Sequence, residues 1–155
     1  MPYLRKRPAQ REITGVIFEQ PYVAEAARKR IADSGLEGRC GFVPGDFMRE
    51  IPSGGDLYIL KGVIHNWDDD DALKILGNCR SAMGTDGRLL LFEWVVPTGD
   101  TPHLSKLIDL SMLLVYGGRE RTEDEFRSLL TSAGLRLVRV LDTASSLKVV
   151  EAISI

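Results

Sequence analysis

A strand, a turn and the start of a helix follow one another at 57–71, and this stretch constrains the fold more than any other. The apolar run 57–60 precedes Lys61, His65 and then four consecutive aspartates at 68–71. Negative charge is stabilised at the first turn of a helix, whereas neighbouring side chains on a helix point apart and make a poor metal site. In an open α/β sheet, ligands bind at the carboxyl ends of the strands. The stretch therefore predicts an α/β fold with a binding site near His65.

The rest of the chain alternates apolar runs with amphipathic segments. The runs predict strands at 13–18, 40–43, 57–60, 88–96, 135–141 and 146–153, and helices at 22–34, 68–83, 104–115 and 122–133. The first strand is expected to be buried, and the helix at 104–115, which is apolar almost all round, to be enclosed or packed on a partner. Thr122 and Glu125 have the spacing of a capping box. This order predicts one α/β domain with a largely parallel sheet and an antiparallel carboxyl-terminal edge.

Composition excludes several classes of protein. The chain has 155 residues, 44% of them hydrophobic, and a net charge of −2, which suits one packed domain and gives no electrostatic reason to bind nucleic acid. Residues 1–12 show no period and are expected to be a tail. Cys40 and Cys79 are expected to be buried thiols of a reducing compartment. With no membrane span and no signal peptide in sight, we expect a soluble, cytoplasmic protein without a membrane partner.

Five polar residues stand at the ends of predicted strands or in the loops that follow: Glu19, Asp46, Lys61, His65 and Glu93. Each alone has a structural explanation, such as a helix cap or a solvated loop. Neither of these explains Glu93 well, because a carboxylate inside an apolar strand must be paired or lie at the rim of the sheet. All five are expected on one edge of the sheet, which favours a shared ligand.

Three motifs resemble those of a known family. They are Lys-x-x-x-His-x-Trp at 61–67, Glu-x-x-x-Pro at 93–97 and Gly-Gly-x-Glu-Arg-Thr at 117–122. With them, residues 13–155 resemble the carboxyl-terminal part of the S-adenosylmethionine-dependent O-methyltransferases, in the branch of the plant phenolic and bacterial polyketide and hydroxyneurosporene-type enzymes. The resemblance implies a Rossmann-like class I methyltransferase sheet, S-adenosylmethionine as cofactor, and a small aromatic or polyketide-like hydroxyl compound as acceptor.

The resemblance also implies a role for each matching residue. His65 would be the general base, oriented by Glu93 and Glu120. The cofactor would be held by Glu19 at its ribose, by Asp46 and Phe47 beside its adenine, and by Lys61, while Met112, Asn66 and Trp67 would line the acceptor pocket. Asn66 replaces the usual aspartate after the histidine. The residue types suit this chemistry without a metal, because an imidazole near pKa 6.5 can take the proton of a phenol as the nucleophile forms.

The family pattern also places a first strand and a glycine-rich loop before the strand at 13–18, and we find neither. We therefore expect residues 13–155 to be a partial catalytic domain. The alternative is a truncated, catalytically incompetent module that acts through self-association or a partner, using unpaired strand edges or the helix at 104–115. A nucleotide-binding oxidoreductase is not favoured, since no G-x-G-x-x-G follows a strand.

Overall fold

The computed structural model describes residues 13–155, so the tail predicted at 1–12 lies outside the described part of the chain. The chain divides into two compact units, of which the first extends to Asp46 and the second spans Phe47–Ile155. The prediction of one domain over 13–155 stays a prediction. None of the described helices has the length and apolar character needed to cross a membrane.

The first unit is a small parallel β-α-β arrangement. Strand β1 (Gly15–Glu19) leads through a 3-10 turn (Pro21–Val23) into helix α1 (Ala24–Asp33), and β2 (Cys40–Pro44) pairs with β1 in parallel. Gly35 follows the helix with a left-handed φ of +63°, a conformation common just after the end of a helix.

The prediction that the first strand is buried is wrong. Val16 is 60% exposed, and Ile31 is the one residue of α1 that is buried. The physical reason is that two paired strands and one short helix have few side chains with which to cover each other. Cys40, at the start of β2, is only half-buried, which corrects the expectation of two buried thiols.

The second unit is built on a four-stranded mixed sheet. Its elements are β3 (Leu57–Lys61), α2 (Asp69–Ala82), β4 (Arg88–Glu93), β5 (Val95–Val96), α3 (Leu104–Tyr116), β6 (Arg121–Thr122), α4 (Glu123–Ser132), β7 (Leu135–Asp142) and β8 (Lys148–Ser154). The strand order is β3-β4-β8-β7, in which β3 and β4 are parallel and β8 runs antiparallel to both neighbours. The predicted α/β fold and its antiparallel edge are confirmed. The sheet is mixed rather than largely parallel because β8 inserts between β4 and β7.

One core holds this unit together. Buried side chains of α2 and α4 pack with those of the sheet, namely Ala72, Ile75, Leu76, Cys79, Phe126, Leu129, Leu130, Leu89, Leu91, Leu135, Leu137, Val150 and Ala152. Burial raises the pKa of the Cys79 thiol to about 12, as expected for an inert core cysteine. The predicted capping box is confirmed, since the Thr122 N–H donates to Glu125 Oε2 at 2.7 Å and the Glu125 N–H donates to Thr122 Oγ1 at 3.3 Å.

Two features of the second unit differ from prediction. The apolar run at 88–96 breaks at Trp94, and its last residues form β5, which pairs in parallel with the unpredicted β6. Helix α3 is not enclosed by the described residues, because Leu114 is 84% exposed and most other large apolar side chains of the helix are exposed as well. The alternative, that α3 packs on a partner, stays a prediction.

Candidate active site

His65 lies at the carboxyl end of β3, where the chain turns sharply. Gly62 follows the strand with a left-handed φ of +62°, a conformation that glycine adopts without strain, and its N–H donates to the Phe92 carbonyl at 3.0 Å. The chain then forms a 3-10 turn, Ile64–Asn66, whose first residue is fully buried. The turn leaves the Nε2 atom of His65 beside Gly62, where an added Cβ would lie 3.6 Å away.

Glu93 ends the neighbouring strand β4 and is bonded to the same turn. Its side chain is 0% exposed, and its Oε1 accepts hydrogen bonds from the N–H groups of Val63 at 3.0 Å and Ile64 at 2.8 Å. The first N–H groups of a helical turn lack partners within the turn, so a carboxylate placed there satisfies them. The apolar strand can therefore bury Glu93, and the turn that carries His65 is fixed to β4.

Glu120 approaches His65 from the loop that follows α3. Its Oε1 lies 2.7 Å from His65 Nδ1, while Glu93 Oε2 lies 4.0 Å from the same nitrogen. The backbone N–H of Glu120 donates to Asp109 Oδ1 at 2.8 Å, which ties the loop to α3. The structure thus brings together the three residues predicted for proton transfer, and it leaves the His65 side chain 17% exposed.

The electrostatics of this group make the His65 imidazole a stronger base than a free imidazole. The hydrogen bond that His65 donates to Glu120 raises the pKa of His65 above its usual value, and burial opposes this. The charge of Glu93 also raises that pKa. Burial raises the pKa of Glu93, partly offset by His65. The Oε2 atoms of both glutamates are buried and have no hydrogen-bond partner among residues 13–155. The proton on His65 Nδ1 is therefore held strongly. The two Oε2 atoms could each accept a further hydrogen bond.

His65, Glu93 and Glu120 are of residue types that bind metal ions, and one ligand atom from each lies within 4.8 Å of the others. Two ligand atoms about 2.0–2.2 Å from a tetrahedral ion stand roughly 3.4 Å apart. The 2.7 Å separation of Nδ1 and Oε1 is instead that of a charge-assisted hydrogen bond. The geometry is therefore that of an imidazole oriented by a carboxylate. The expectation of metal-free chemistry stays a prediction.

Two residues of this site were not predicted from the sequence. A Cβ on Gly118 would lie 2.1 Å from the His65 carbonyl oxygen, so only glycine fits where the two loops cross. Arg121 is buried and donates to the backbone around His65. Both lie in the Gly-Gly-x-Glu-Arg-Thr motif, which was the signal available, but neither contact can be derived from spacing.

Two of the three residues predicted to line an acceptor pocket have other partners within the second unit. Asn66 Nδ2 donates to the Gly62 carbonyl at 3.3 Å. The Trp67 ring packs edge-on against Phe47 with centroids 6.1 Å apart, and both rings lie against the core. Met112 is half-buried on α3. Core packing therefore accounts for much of the aromatic clustering at this end of the unit.

The remaining residues predicted to bind a cofactor lie in different parts of the chain. In the first unit, Glu19 ends β1 and its Oε1 accepts from the Gln20 N–H at 2.8 Å, which leaves its second oxygen as a further acceptor. The Glu19 carbonyl accepts from the Gly45 N–H at 3.0 Å, so the loop that carries Asp46 meets the end of β1. In the second unit, Lys61 is exposed at the end of β3. A strand-end carboxylate with a free oxygen fits the hydroxyl groups of a ribose.

Comparison with known proteins gives a consistent family. The family model described as an O-methyltransferase domain matches residues 8–136. The phenazine O-methyltransferase PhzM of Lysobacter antibioticus is 50% identical over 149 residues, which cover 96% of this chain and 43% of that protein. The aclacinomycin 10-hydroxylase RdmB of Streptomyces purpurascens is 42% identical over 127 residues, which cover 81% of this chain and 34% of that protein.

A similar solved structure adds a bound cofactor. It is the crystal structure of the O-methyltransferase NcsB1 from neocarzinostatin biosynthesis, in complex with S-adenosylmethionine and 2-hydroxy-5-methyl naphthoic acid. That chain is 34% identical with a TM-score of 0.82, and the match covers 92% of this chain and 42% of that chain. The chain therefore spans less than half the length of each of these three proteins.

Proposed function

The chain belongs to the O-methyltransferase domain family, and from this we propose that its residues carry out S-adenosylmethionine-dependent methylation of a hydroxyl on a small aromatic compound, with His65 as general base. The observation that carries the proposal is the 2.7 Å contact between His65 Nδ1 and Glu120 Oε1. A carboxylate bonded to one ring nitrogen sets the tautomer of the imidazole and leaves the other nitrogen able to accept a proton.

The proposed proton transfer uses His65 and two carboxylates. Glu120 accepts a hydrogen bond from the Nδ1–H of His65, so Nε2 is the unprotonated nitrogen and takes the proton of the acceptor hydroxyl. A phenol titrates near pH 10, so it needs a base at neutral pH to become a strong nucleophile. The imidazolium that forms is stabilised by Glu120 at Nδ1 and by the charge of Glu93, whose Oε2 lies 4.0 Å from Nδ1.

The cofactor contacts are proposed on the chemistry of the residues and on the family. S-adenosylmethionine, when bound, supplies a methyl group on a positively charged sulfur. We propose that Glu19 accepts from the ribose hydroxyls, that Asp46 and Phe47 lie beside the adenine, and that Lys61 binds a polar group of the cofactor. The related NcsB1 structure, which contains S-adenosylmethionine, supports this choice of cofactor.

The acceptor is proposed to be a flat aromatic compound. Met112, Asn66 and Trp67 are proposed to line its pocket, and the names of the related proteins refer to a phenazine and a naphthoic acid. We also propose a cytoplasmic setting for the reaction.

The decisive variant is His65→Gln, which keeps a polar side chain of similar reach but removes the base. We expect turnover to fall by about 10²- to 10⁴-fold, the contribution of a positioned general base. Binding of S-adenosylmethionine, measured by calorimetry, should change by less than about twofold, because the base does not hold the cofactor. His103→Gln is the matched control, since the ring of His103 contacts Ser105 at the start of α3.

Product analysis separates methylation from the activity named for another relative. Mass spectrometry should show the gain of CH2, whereas the gain of one oxygen would match the hydroxylase RdmB. Equal loss of turnover and of cofactor affinity in His65→Gln would contradict the general-base role.

A second candidate is a module without catalytic activity that self-associates. It is favoured by α3, on which Leu107, Leu110, Leu113 and Leu114 are all exposed, and by β3, which lies at the edge of its sheet. Sedimentation equilibrium with Leu114→Glu as the disrupting variant tests it. Dimerisation that this variant abolishes, together with no heat on titrating S-adenosylmethionine, supports the module, whereas micromolar binding of the cofactor supports the enzyme.

A further inference from the structure

Arg121 is the largest fully buried side chain of the described residues, and it is only 1% exposed. A buried guanidinium is costly unless its charge is paired and its N–H groups are hydrogen-bonded. The proposed methyl transfer gives this side chain no role. Its partners therefore indicate what the buried charge does for the fold or for the site.

The charge of Arg121 is paired with the first turn of α2. Its Nε and one terminal nitrogen (Nη2) both donate to Asp69 Oδ1, at 3.0 Å and 2.7 Å. This gives one of the four consecutive aspartates a specific partner, in addition to the general preference of a helix N-terminus for negative charge. Asp68 has a different task, since its side chain caps the helix by accepting from the Asp71 N–H at 2.9 Å.

The remaining N–H groups of Arg121 bond to the backbone on either side of His65. Nη1 donates to the Ile64 carbonyl at 3.2 Å, and Nη2 donates to the Trp67 carbonyl at 3.1 Å. Nη1 also donates to the Arg119 carbonyl at 3.3 Å, directly before Glu120. One planar group thus holds both the turn that carries His65 and the loop that carries Glu120.

The backbone of Arg121 is fixed as well. Short strands β5 and β6 place Arg121 opposite Val95, two residues after Glu93. The three residues of the proposed base assembly are therefore each linked to Arg121, through its side chain or through the strand pairing. A rigid fork with five N–H donors can make these contacts together, whereas the single ammonium of a lysine cannot.

We propose that Arg121, held by Asp69, is a positioning residue that sets the distance and orientation between His65 and Glu120. The proposal rests on the role of His65 as general base. It assigns to Arg121 no contact with the acceptor or the cofactor. It predicts that a variant with fewer contacts at position 121 changes the tautomer and the titration of the His65 ring while the chain remains folded.

The test is the state of the His65 ring in Arg121→Lys, observed by NMR with ¹⁵N-labelled histidine. The chain has two histidines, so His103 serves as an internal reference. Among the described residues, the ionisable groups that face the His65 ring are the carboxylates of Glu93 from β4 and Glu120 from the loop after α3. We expect the single Nδ1–H tautomer to give way to a mixture and the His65 titration to move to lower pH, while the His103 signals stay unchanged.

Arg80→Lys is the control for replacing an arginine that bonds backbone carbonyls away from His65. Arg80 also bonds two backbone carbonyls, those of Gly134 and Ile155, but contacts none of the three residues of the base assembly. Arg80 is exposed, so Arg80→Lys should lower the melting temperature only slightly and should leave the His65 signals unchanged. In turnover assays, Arg121→Lys should lower kcat by about 10- to 100-fold with the KM for S-adenosylmethionine unchanged, as for a misplaced catalytic group.

If Arg121→Lys does not fold, Asp69→Asn decides, with Asp70→Asn as its control. Both variants remove one negative charge from the first turn of α2, but only Asp69 is bonded to Arg121. A His65 signal that changes in Asp69→Asn and not in Asp70→Asn supports the proposal. A His65 signal equal to wild type in Asp69→Asn, or in a folded Arg121→Lys, overturns it.

These outcomes are separable from the proposed function. Retained turnover in His65→Gln would overturn the general-base role even if Arg121→Lys changes the His65 ring. Loss of turnover in His65→Gln with an unchanged ring in Arg121→Lys would overturn the positioning role alone.

Discussion

The two units of the chain differ in how far their own residues enclose them. In the first, Val16 of β1 is 60% exposed and Ile31 is the one buried residue of α1. In the second, the sheet and two helices share one core, and the side chains of Glu93 and Glu120 are 0% exposed. Proton transfer needs groups whose pKa values are shifted by burial and neighbours, whereas a carboxylate that binds ribose hydroxyls needs only access. The unit that is better enclosed is therefore also the one whose residues are proposed to transfer a proton.

Truncation of a strand residue in each unit tests this difference directly. Leu91→Ala in β4 should lower the free energy of unfolding by about 3 kcal/mol, because the removed side chain is fully buried and leaves a cavity. Val16→Ala in β1 should lower it by less than about 0.5 kcal/mol, since that side chain is largely exposed. Urea denaturation of both variants provides the measurement. Equal losses would mean that the first strand is covered in solution and that the contrast between the units is false.

Glycine replacements sharpen the comparison at the loops. Gly118→Ala in the second unit should cost about 2 kcal/mol, because the new Cβ would lie 2.1 Å from the backbone oxygen of His65, which cannot turn aside. Gly45→Ala in the first unit should cost less than about 1 kcal/mol, because its Cβ would meet the Phe18 ring at 2.3 Å, a side chain that can rotate away. Melting temperatures rank the two variants. NMR should also show a displaced His65 signal in Gly118→Ala alone, and the reverse ranking would contradict the rigid crossing of the two loops.

Local signals in the sequence predicted most elements of the second unit. The capping box at Thr122 and the aspartates at the start of α2 depend on neighbours within a few residues, and the structure agrees. The buried state of Glu93 was predicted only as a requirement for a partner. That the partners are two backbone N–H groups of a 3-10 turn depends on the pairing of β3 with β4, which pattern alone does not specify.

Long-range contacts account for what the sequence did not predict. The ion pair of Arg121 with Asp69 joins residues 52 positions apart, and nothing in the local pattern around an arginine distinguishes a buried one. The same holds for the insertion of β8 between β4 and β7, which made the sheet mixed. The predicted burial of β1 was wrong, and α3 is not enclosed by the described residues, because an apolar run indicates a tendency to be covered but does not supply the covering residues.

The titration of His65 gives the second unit a pH dependence whose sign can be worked out. The hydrogen bond that His65 donates to Glu120 raises the pKa of His65 in the folded state. The folded state then binds a proton more tightly than the unfolded chain does, so the stability from this contact is fully present below about pH 6.5 and is lost as pH rises through the folded pKa. Glu93 also has a raised pKa in the folded state. Its titration therefore also lowers the stability of the protein as pH rises, over a range that begins at lower pH than that of His65.

The two titrations are separated by working in a Glu93→Gln background. Glutamine keeps the Oε1 acceptor for the N–H groups of Val63 and Ile64 but no longer titrates. Unfolding free energies of Glu93→Gln and of the double variant with His65→Gln, measured from about pH 6 to about pH 9, should differ most at low pH and converge as pH rises. The change should be small compared with that of Leu91→Ala, because one partly exposed hydrogen-bonded pair contributes less than a buried leucine. A difference that grows with pH would mean that His65 is held neutral in the folded state, and the assignment of Glu120 as its charge partner would then fail.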